Sequence, residues 1–198
     1  MQRIVAFEGI DGSGKTTVSR KVAVELIKMG YKVTLSHEPF RAETTKLLEE
    51  TAWRDPLALA LLFSADRALH VREILQREAD FHIFDRYYCS TLAYQGALGL
   101  NLDWLVQVSS YFPKPMITFI LDVPVEVGLK RLRGDSLSFS RKYETLSKVR
   151  ELYLKLAPEC NGYVIDATKD LNEIIKEVIS ALSGLLSASS TSRGPQEA

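Results

Sequence analysis

Gly9-Ile10-Asp11-Gly12-Ser13-Gly14-Lys15-Thr16 fits the pattern G-x-x-x-x-G-K-S/T, and Thr17 follows it directly. Glycines at these places let successive backbone N–H groups turn inward, and a helix starting at the end of the loop adds the positive end of its dipole, so the segment can cradle phosphates. Lys15 can then reach the β and γ phosphates of ATP, while the Thr16 hydroxyl supplies one ligand to Mg2+. The setting agrees with the motif. Ile4 to Phe7 is a short apolar run just before it, and Val18, Val22, Leu26 and Met29 recur just after it at helical spacing. A glycine-rich turn that binds nothing is the bland alternative, and motif and context together set it aside. Residues 9 to 17 are the expected ATP site.

Phe81-His82-Ile83-Phe84-Asp85 is an apolar run that ends in a carboxylate. Taken alone, an Asp at a strand end is an ordinary turn or helix cap. Beside a phosphate loop it is instead the acid that faces Mg2+ and its waters, so Thr16 and Asp85 form the expected metal site. Cys89 and Cys160 lie far apart with no C-x-x-C or Cys/His cluster nearby, which argues against zinc and predicts buried, reduced thiols.

The elements that must position these residues follow from the hydrophobic pattern. Apolar runs at Ile4 to Phe7, Tyr31 to Leu35, Phe81 to Phe84, Met116 to Leu121 and Tyr163 to Ile165 alternate with longer helical patterns, which predicts an α/β parallel sheet covered by helices. Gly30 stands where the first helix would stop, Asp55-Pro56 opens a helix running to about Arg77, and Asp170 caps a terminal helix striped by Leu171, Ile174, Ile175, Val178, Ile179 and Leu182. The chain has 198 residues, 46% of them hydrophobic, enough for one core. Lys plus Arg and Asp plus Glu both number 25, so no excess of charge draws it to nucleic acid or an anionic membrane. The N-terminus lacks the pattern of a signal peptide, and the longest apolar stretch, Leu57 to Phe63, is too short to span a bilayer. The expectation is a soluble, cytoplasmic protein. From Ser187 onward the composition is polar and small, predicting one domain over residues 1–186 and a tail without assigned role over 187–198.

The motifs in succession resemble those of thymidylate kinases: Phe7-Glu8-Gly9 through Thr17, then Glu38-Pro39, Asp85-Arg86-Tyr87, Ser90-Thr91-Leu92-Ala93-Tyr94-Gln95-Gly96, Leu121-Asp122-Val123-Pro124, Lys148 to Leu154 and Ile165-Asp166-Ala167. The resemblance implies transfer of the γ-phosphoryl group of ATP to dTMP on a three-layer P-loop fold, with a five-stranded parallel sheet, a short lid and a dimeric state. It further implies that Phe63 stacks on thymine, Arg67 hydrogen-bonds the base and Arg86 grips the dTMP phosphate with a planar fork. Asp11 would lie near the acceptor's 3′-hydroxyl, Tyr94 would crowd the 2′ position, and Thr91 and Gln95 would surround the base. From spacing alone a core Phe and a surface Arg is the favoured reading of Phe63 and Arg67, and the match of Leu61 to Arg67 with the family reverses it. The loop after Glu38-Pro39 departs from many bacterial members, but Pro39-Phe40-Arg41 is similar to eukaryotic members in which this Arg touches the dTMP phosphate.

A catalytic cation besides Lys15 is expected where negative charge spreads in the transition state. Some relatives keep an Arg in the P-loop at the position held here by Gly12. The other class supplies it from the lid, and Lys130, Arg131, Arg133, Arg141 and Lys142 flank the polar stretch Asp135 to Ser140. A lid over about residues 133–142 is therefore expected, with Arg133 and Arg141 the first choices and Arg131 continuing the preceding helix. Two other functions remain open on sequence. One is a different deoxynucleoside or deoxynucleoside monophosphate kinase on the same fold; the other is a P-loop switch without an acceptor.

Overall fold

The computed structural model describes residues 3–48, 55–132 and 139–191, apart from the side chains of 139–142 and 189–191. Five strands, β1 (Arg3–Glu8), β2 (Val33–His37), β3 (Phe81–Asp85), β4 (Ile117–Asp122) and β5 (Gly162–Asp166), form one sheet in the order β2-β3-β1-β4-β5, and every pair is parallel. Ile4 to Phe7, Phe81 to Phe84 and Ile117 to Leu121 are buried at every position, as strands covered on both faces must be. β2 starts at Val33 and not at Tyr31; Tyr31 instead packs edge-on against Phe81.

Eight helices are described: α1 (Lys15–Lys28), α2 (Ala42–Leu47), α3 (Pro56–Leu75), α4 (Tyr88–Ala97), α5 (Leu102–Ser109), α6 (Val125–Arg131), α7 (Phe139–Lys155) and α8 (Leu171–Thr191). α1 packs with α8, while α4 packs with α3, α5 and α7. The end signals act locally as their chemistry predicts. Asp55 accepts the Leu57 and Ala58 N–H groups with Pro56 in the first turn, Asp170 accepts from Asn172, and Gly30 follows α1 with φ 92°. α3 stops at Leu75, short of Arg77, and α8 carries on to Thr191, past the predicted start of the tail. Residues 192–198 lie outside the described residues.

One expectation is overturned. Cys89, in the first turn of α4, and Cys160, just before β5, are joined in a disulfide with Cα atoms 6.0 Å apart and both residues buried. They are 71 residues apart in sequence, and only the packing of α4 against the α7–β5 connection brings them within bonding reach.

In a parallel sheet of this kind ligands bind beyond the carboxyl ends of the strands, where the strand order reverses. β1 lies between β3 and β4, and the three strands end in Glu8, Asp85 and Asp122.

Candidate active site

The P-loop leaves β1 at Gly9 and enters α1 through Gly14, whose left-handed conformation (φ 100°) supplies no side-chain cap. The first N–H groups of α1 therefore point toward an anion site. Lys15 is 6% exposed and donates from Nζ to the carbonyls of Gly9 (2.9 Å) and Ile10 (2.8 Å). Burial, aided by the charge of Arg86, lowers its pKa to about 7 against the opposing pull of Asp11, Asp85 and Glu8.

A polyphosphate beside Lys15 stabilises the ammonium and raises its pKa again, so the complex holds more protons than the free protein and affinity falls as pH climbs above 7. Calorimetric ATP titrations in buffers of different ionisation enthalpy, between about pH 7.5 and about pH 9, are expected to show net proton uptake that Lys15→Met abolishes. Equal uptake in the variant would assign the proton elsewhere.

Gly12 has φ 78°, and a Cβ on it would stand 2.1 Å from the carbonyl oxygen of Gly128 in α6; a Cβ on Gly128 would in turn meet the Asp11 carbonyl oxygen at 2.7 Å. The P-loop and α6 thus touch backbone to backbone. No side chain fits at position 12, so the arginine that some relatives keep there has no room in this chain.

Thr16 Oγ1 donates to Asp85 Oδ2 at 2.5 Å, which unites the two predicted metal ligands at the mouth of the P-loop. Among the described residues no cluster of three or more His, Cys, Asp or Glu is arranged to hold a metal alone. One hydroxyl and one carboxylate fit an ion that takes its remaining oxygens from phosphates and water, as Mg2+ does.

Arg86 follows Asp85 in a left-handed conformation (φ 71°), which costs a non-glycine residue about 1–2 kcal/mol. Its N–H donates to the Phe7 carbonyl at 3.0 Å. The side chain makes an ion pair from Nη2 to Asp11 Oδ1, donates from Nη1 to Ser90 Oγ at 3.2 Å, and lies 5.4 Å from the centre of the Tyr94 ring. Burial works against the Asp11 carboxylate, but the charges of Arg86 and Lys15 outweigh it and hold its pKa below the ordinary value.

Two cavities meet at this ion pair. One, of about 670 Å³, is lined by Gly12, Lys15, Thr16, Thr17, Asp85 and Arg131; the other, of about 710 Å³, runs past Phe63, Arg67, Thr91, Tyr94 and Gln95. Asp11, Glu38, Arg86 and Leu132 belong to both. Leu48, Leu59 and Phe63 supply an apolar wall to the second cavity.

Arg67 is not a surface residue: it is 2% exposed and held between the rings of Tyr87 and Phe112. Nε donates to Glu38 Oε2 at 2.8 Å, and Nη2 donates to Thr91 Oγ1 at 3.1 Å and to the Tyr87 carbonyl at 3.3 Å. Arg67 Nη1 and Gln95 Oε1 are buried without a partner. Both residues line the second cavity, and unmatched buried polar groups are uncommon in a folded interior.

Arg41 is not brought to this cavity. Its guanidinium pairs with Glu73 of α3 at 2.9 Å and lies over Phe40, because Asp66 binds the Phe40 and Arg41 N–H groups and turns the loop outward. Of the lid arginines, Arg133 lies outside the described residues, as does the side chain of Arg141. Arg131, read as a helix continuation, reaches back over the P-loop, with Nη1 3.5 Å from the Gly12 carbonyl and Nη2 3.2 Å from the Ala167 carbonyl. Glu8, Glu38 and Ser90 are the polar groups that motif reading leaves without a role. An acid closing an otherwise apolar strand was the available signal for Glu8.

The fold, the P-loop and a second cavity meeting it at an arginine define a P-loop kinase. The family model described as thymidylate kinase matches residues 7–178, and the chain belongs to that family. It is 49% identical to a probable thymidylate kinase 1 of Saccharolobus solfataricus over 90% of this chain and 96% of that protein. Probable thymidylate kinases of Metallosphaera sedula, 48% identical over 98% of both chains, and of Sulfurisphaera tokodaii, 44% identical over 96% of this chain and 100% of the other, are similar along their whole length. The chain is accordingly an enzyme, a transferase of the kinase class.

Proposed function

We propose that the protein transfers the γ-phosphoryl group of ATP to dTMP, giving dTDP and ADP, with ATP in the P-loop cavity and dTMP in the cavity past Arg67. The junction of the two cavities at Asp11 and Arg86 supports this most directly, because in-line transfer needs donor and acceptor phosphates to meet at one cation. Lys15 exchanges its loop carbonyls for the β and γ phosphates, and Arg86 turns its fork to the acceptor phosphate. Both carboxylates lining the acceptor cavity are already matched to arginine, Asp11 to Arg86 and Glu38 to Arg67. This arrangement disfavours a nucleoside kinase, which needs a free carboxylate to take the proton of a 5′-hydroxyl. Mg2+ held by Thr16 and Asp85 would neutralise charge on the transferring phosphates.

Arg67 Nη1 and Gln95 Oε1 offer the donor and acceptor that a thymine edge requires, with Phe63 beside the ring. Phe63→Ala and Arg67→Ala are expected to raise the dTMP KM roughly tenfold or more while the ATP KM stays within about twofold. Arg67→Ala should also lower Tm, since it leaves Glu38 buried without its cation. Unchanged dTMP KM values in both variants would move the base to another site. The direct test of the function is dTDP formation from ATP with dTMP, compared with thymidine.

The protein is proposed to act as a homodimer through α3. Leu57, Leu61 and Leu69, 47%, 50% and 53% exposed, share the outer face of that helix with Ala58, Ala65 and Ala68, opposite the buried face that carries Leu59, Ala60, Asp66, Arg67, His70, Val71 and Ile74. An exposed apolar face of this kind is stable in water when a second surface covers it. Sedimentation is expected to give a dimer for the native chain and a monomer for Leu61→Glu; a dimer in both would place the interface elsewhere. Among the described residues no helix is long and apolar enough to cross a membrane. We propose a cytoplasmic location, a single kinase domain over 1–186 with a lid over about 133–142, and no nucleic-acid partner. Burial of both sulfurs shields the disulfide from soluble reductants there.

A further inference from the structure

Tyr87 occupies the N-cap position of α4 and provides no cap from its own side chain. The cap comes from another element. Glu8, at the end of β1, accepts from Oε1 the N–H groups of Tyr87 at 2.8 Å and Ser90 at 3.0 Å. Its second oxygen, Oε2, accepts the Ser90 hydroxyl at 2.5 Å and the Tyr153 hydroxyl of α7 at 3.0 Å. Glu8 is fully buried and lines neither cavity, so it has no path to a substrate.

What Glu8 does reach is the support of Arg86. Arg86 is the residue just before the capped turn, and its left-handed backbone is held between the Phe7 carbonyl and that turn. Besides Asp11 and the Tyr94 ring, its guanidinium is held by Ser90 Oγ. Because the Ser90 hydroxyl spends its proton on Glu8, its lone pairs are turned toward Arg86 Nη1. Burial holds the Glu8 pKa above the ordinary carboxylate value, against the pull of the Ser90 hydroxyl, the Arg86 charge and the Tyr87 N–H, and that Arg86 pull ties the two groups electrostatically as well.

We propose that Glu8 is a positioning residue for Arg86: it caps α4 from β1 and orients Ser90, so that the guanidinium faces the acceptor phosphate at the junction of the cavities. The proposal rests on the reading of Arg86 as the group that grips the dTMP phosphate. Tyr153 joins the same oxygen, linking α7, the helix that leaves the lid segment, to the anchor of Arg86.

Glu8→Gln keeps the volume and can still accept both backbone N–H groups through its amide oxygen. Its NH2 group, however, donates toward Ser90 Oγ, where it competes with Arg86 Nη1. Calorimetric titration is expected to show the dTMP Kd raised about tenfold or more, with the ATP Kd changed less than about twofold. In an Arg86→Ala background the same substitution should change the dTMP Kd less than about twofold, because the group through which it acts is gone. A purely structural role predicts a different result: weakened binding of both substrates, or an equal effect with and without Arg86, and either overturns the proposal, as does an unchanged dTMP Kd in Glu8→Gln. Should Glu8→Gln fail to fold, Ser90→Ala cuts the same relay at one atom and must give the same selective, non-additive loss. Arg86→Ala alone separates the two levels: if it leaves the dTMP Kd unaltered, the phosphate reading fails, whatever Glu8 does.

Discussion

Lys15→Ala is expected to lower phosphoryl transfer at least ~100-fold while the protein stays folded. The ammonium is surrounded by the P-loop, its described bonds go to two loop carbonyls, and burial works against its charge. Its absence therefore removes little that holds the fold together. The sign of its pH linkage agrees: with the folded pKa lowered to about 7, the unfolded chain holds the extra proton from there up to the ordinary lysine value, so burial of Lys15 costs stability at neutral pH. A Tm that does not fall, together with a collapsed rate, is the pattern of a residue kept for phosphates. Near-full turnover in the variant would contradict the P-loop assignment.

The second large effect concerns the cation that meets the transition state. Gly12 cannot carry it, because a Cβ there would collide with the Gly128 carbonyl. We propose that it comes from the end of α6 or from the segment that follows it. Arg131, Arg133 and Arg141 replaced singly by Ala should leave dTMP binding nearly unchanged, and at least one should lower kcat by ~100-fold or more, as loss of an arginine finger does in phosphoryl transfer. Arg131 joins Arg133 and Arg141 on physical grounds, since its guanidinium already touches the Gly12 and Ala167 carbonyls across the donor cavity. Ordinary kcat in all three single variants and in the triple variant would leave the lid as a cover only.

Local chemistry was legible in the sequence wherever it is written in neighbouring residues. The P-loop, the strand ending in Asp85, and the caps at Asp55 and Asp170 are each contained in a few adjacent positions, and backbone sterics or hydrogen bonding decide them. Arg67 shows where such reading stops. Its i, i+4 relation to Phe63 puts both on one helical face, but the burial of that face depends on Glu38, Thr91 and Phe112, brought in from three other places in the chain. Cys89 and Cys160 fail for the same reason, since their pairing is a property of the packing. Arg41 carries a motif and still turns away, because Asp66 and Glu73 hold the loop and the side chain outward. The role proposed for Glu8 needs β1, α4 and α7 assembled at once, which no spacing pattern encodes.

Quantifying dTDP and ADP after incubation with ATP, Mg2+ and either dTMP or thymidine tests the central claim most directly. The account predicts dTDP and ADP in equal amounts with dTMP, and neither dTMP nor excess ADP from thymidine. Phosphorylation of thymidine would make the protein a nucleoside kinase, and ATP turnover indifferent to both acceptors would make it a P-loop switch; either result contradicts a phosphate-gripping Arg86 at the meeting point of the two cavities.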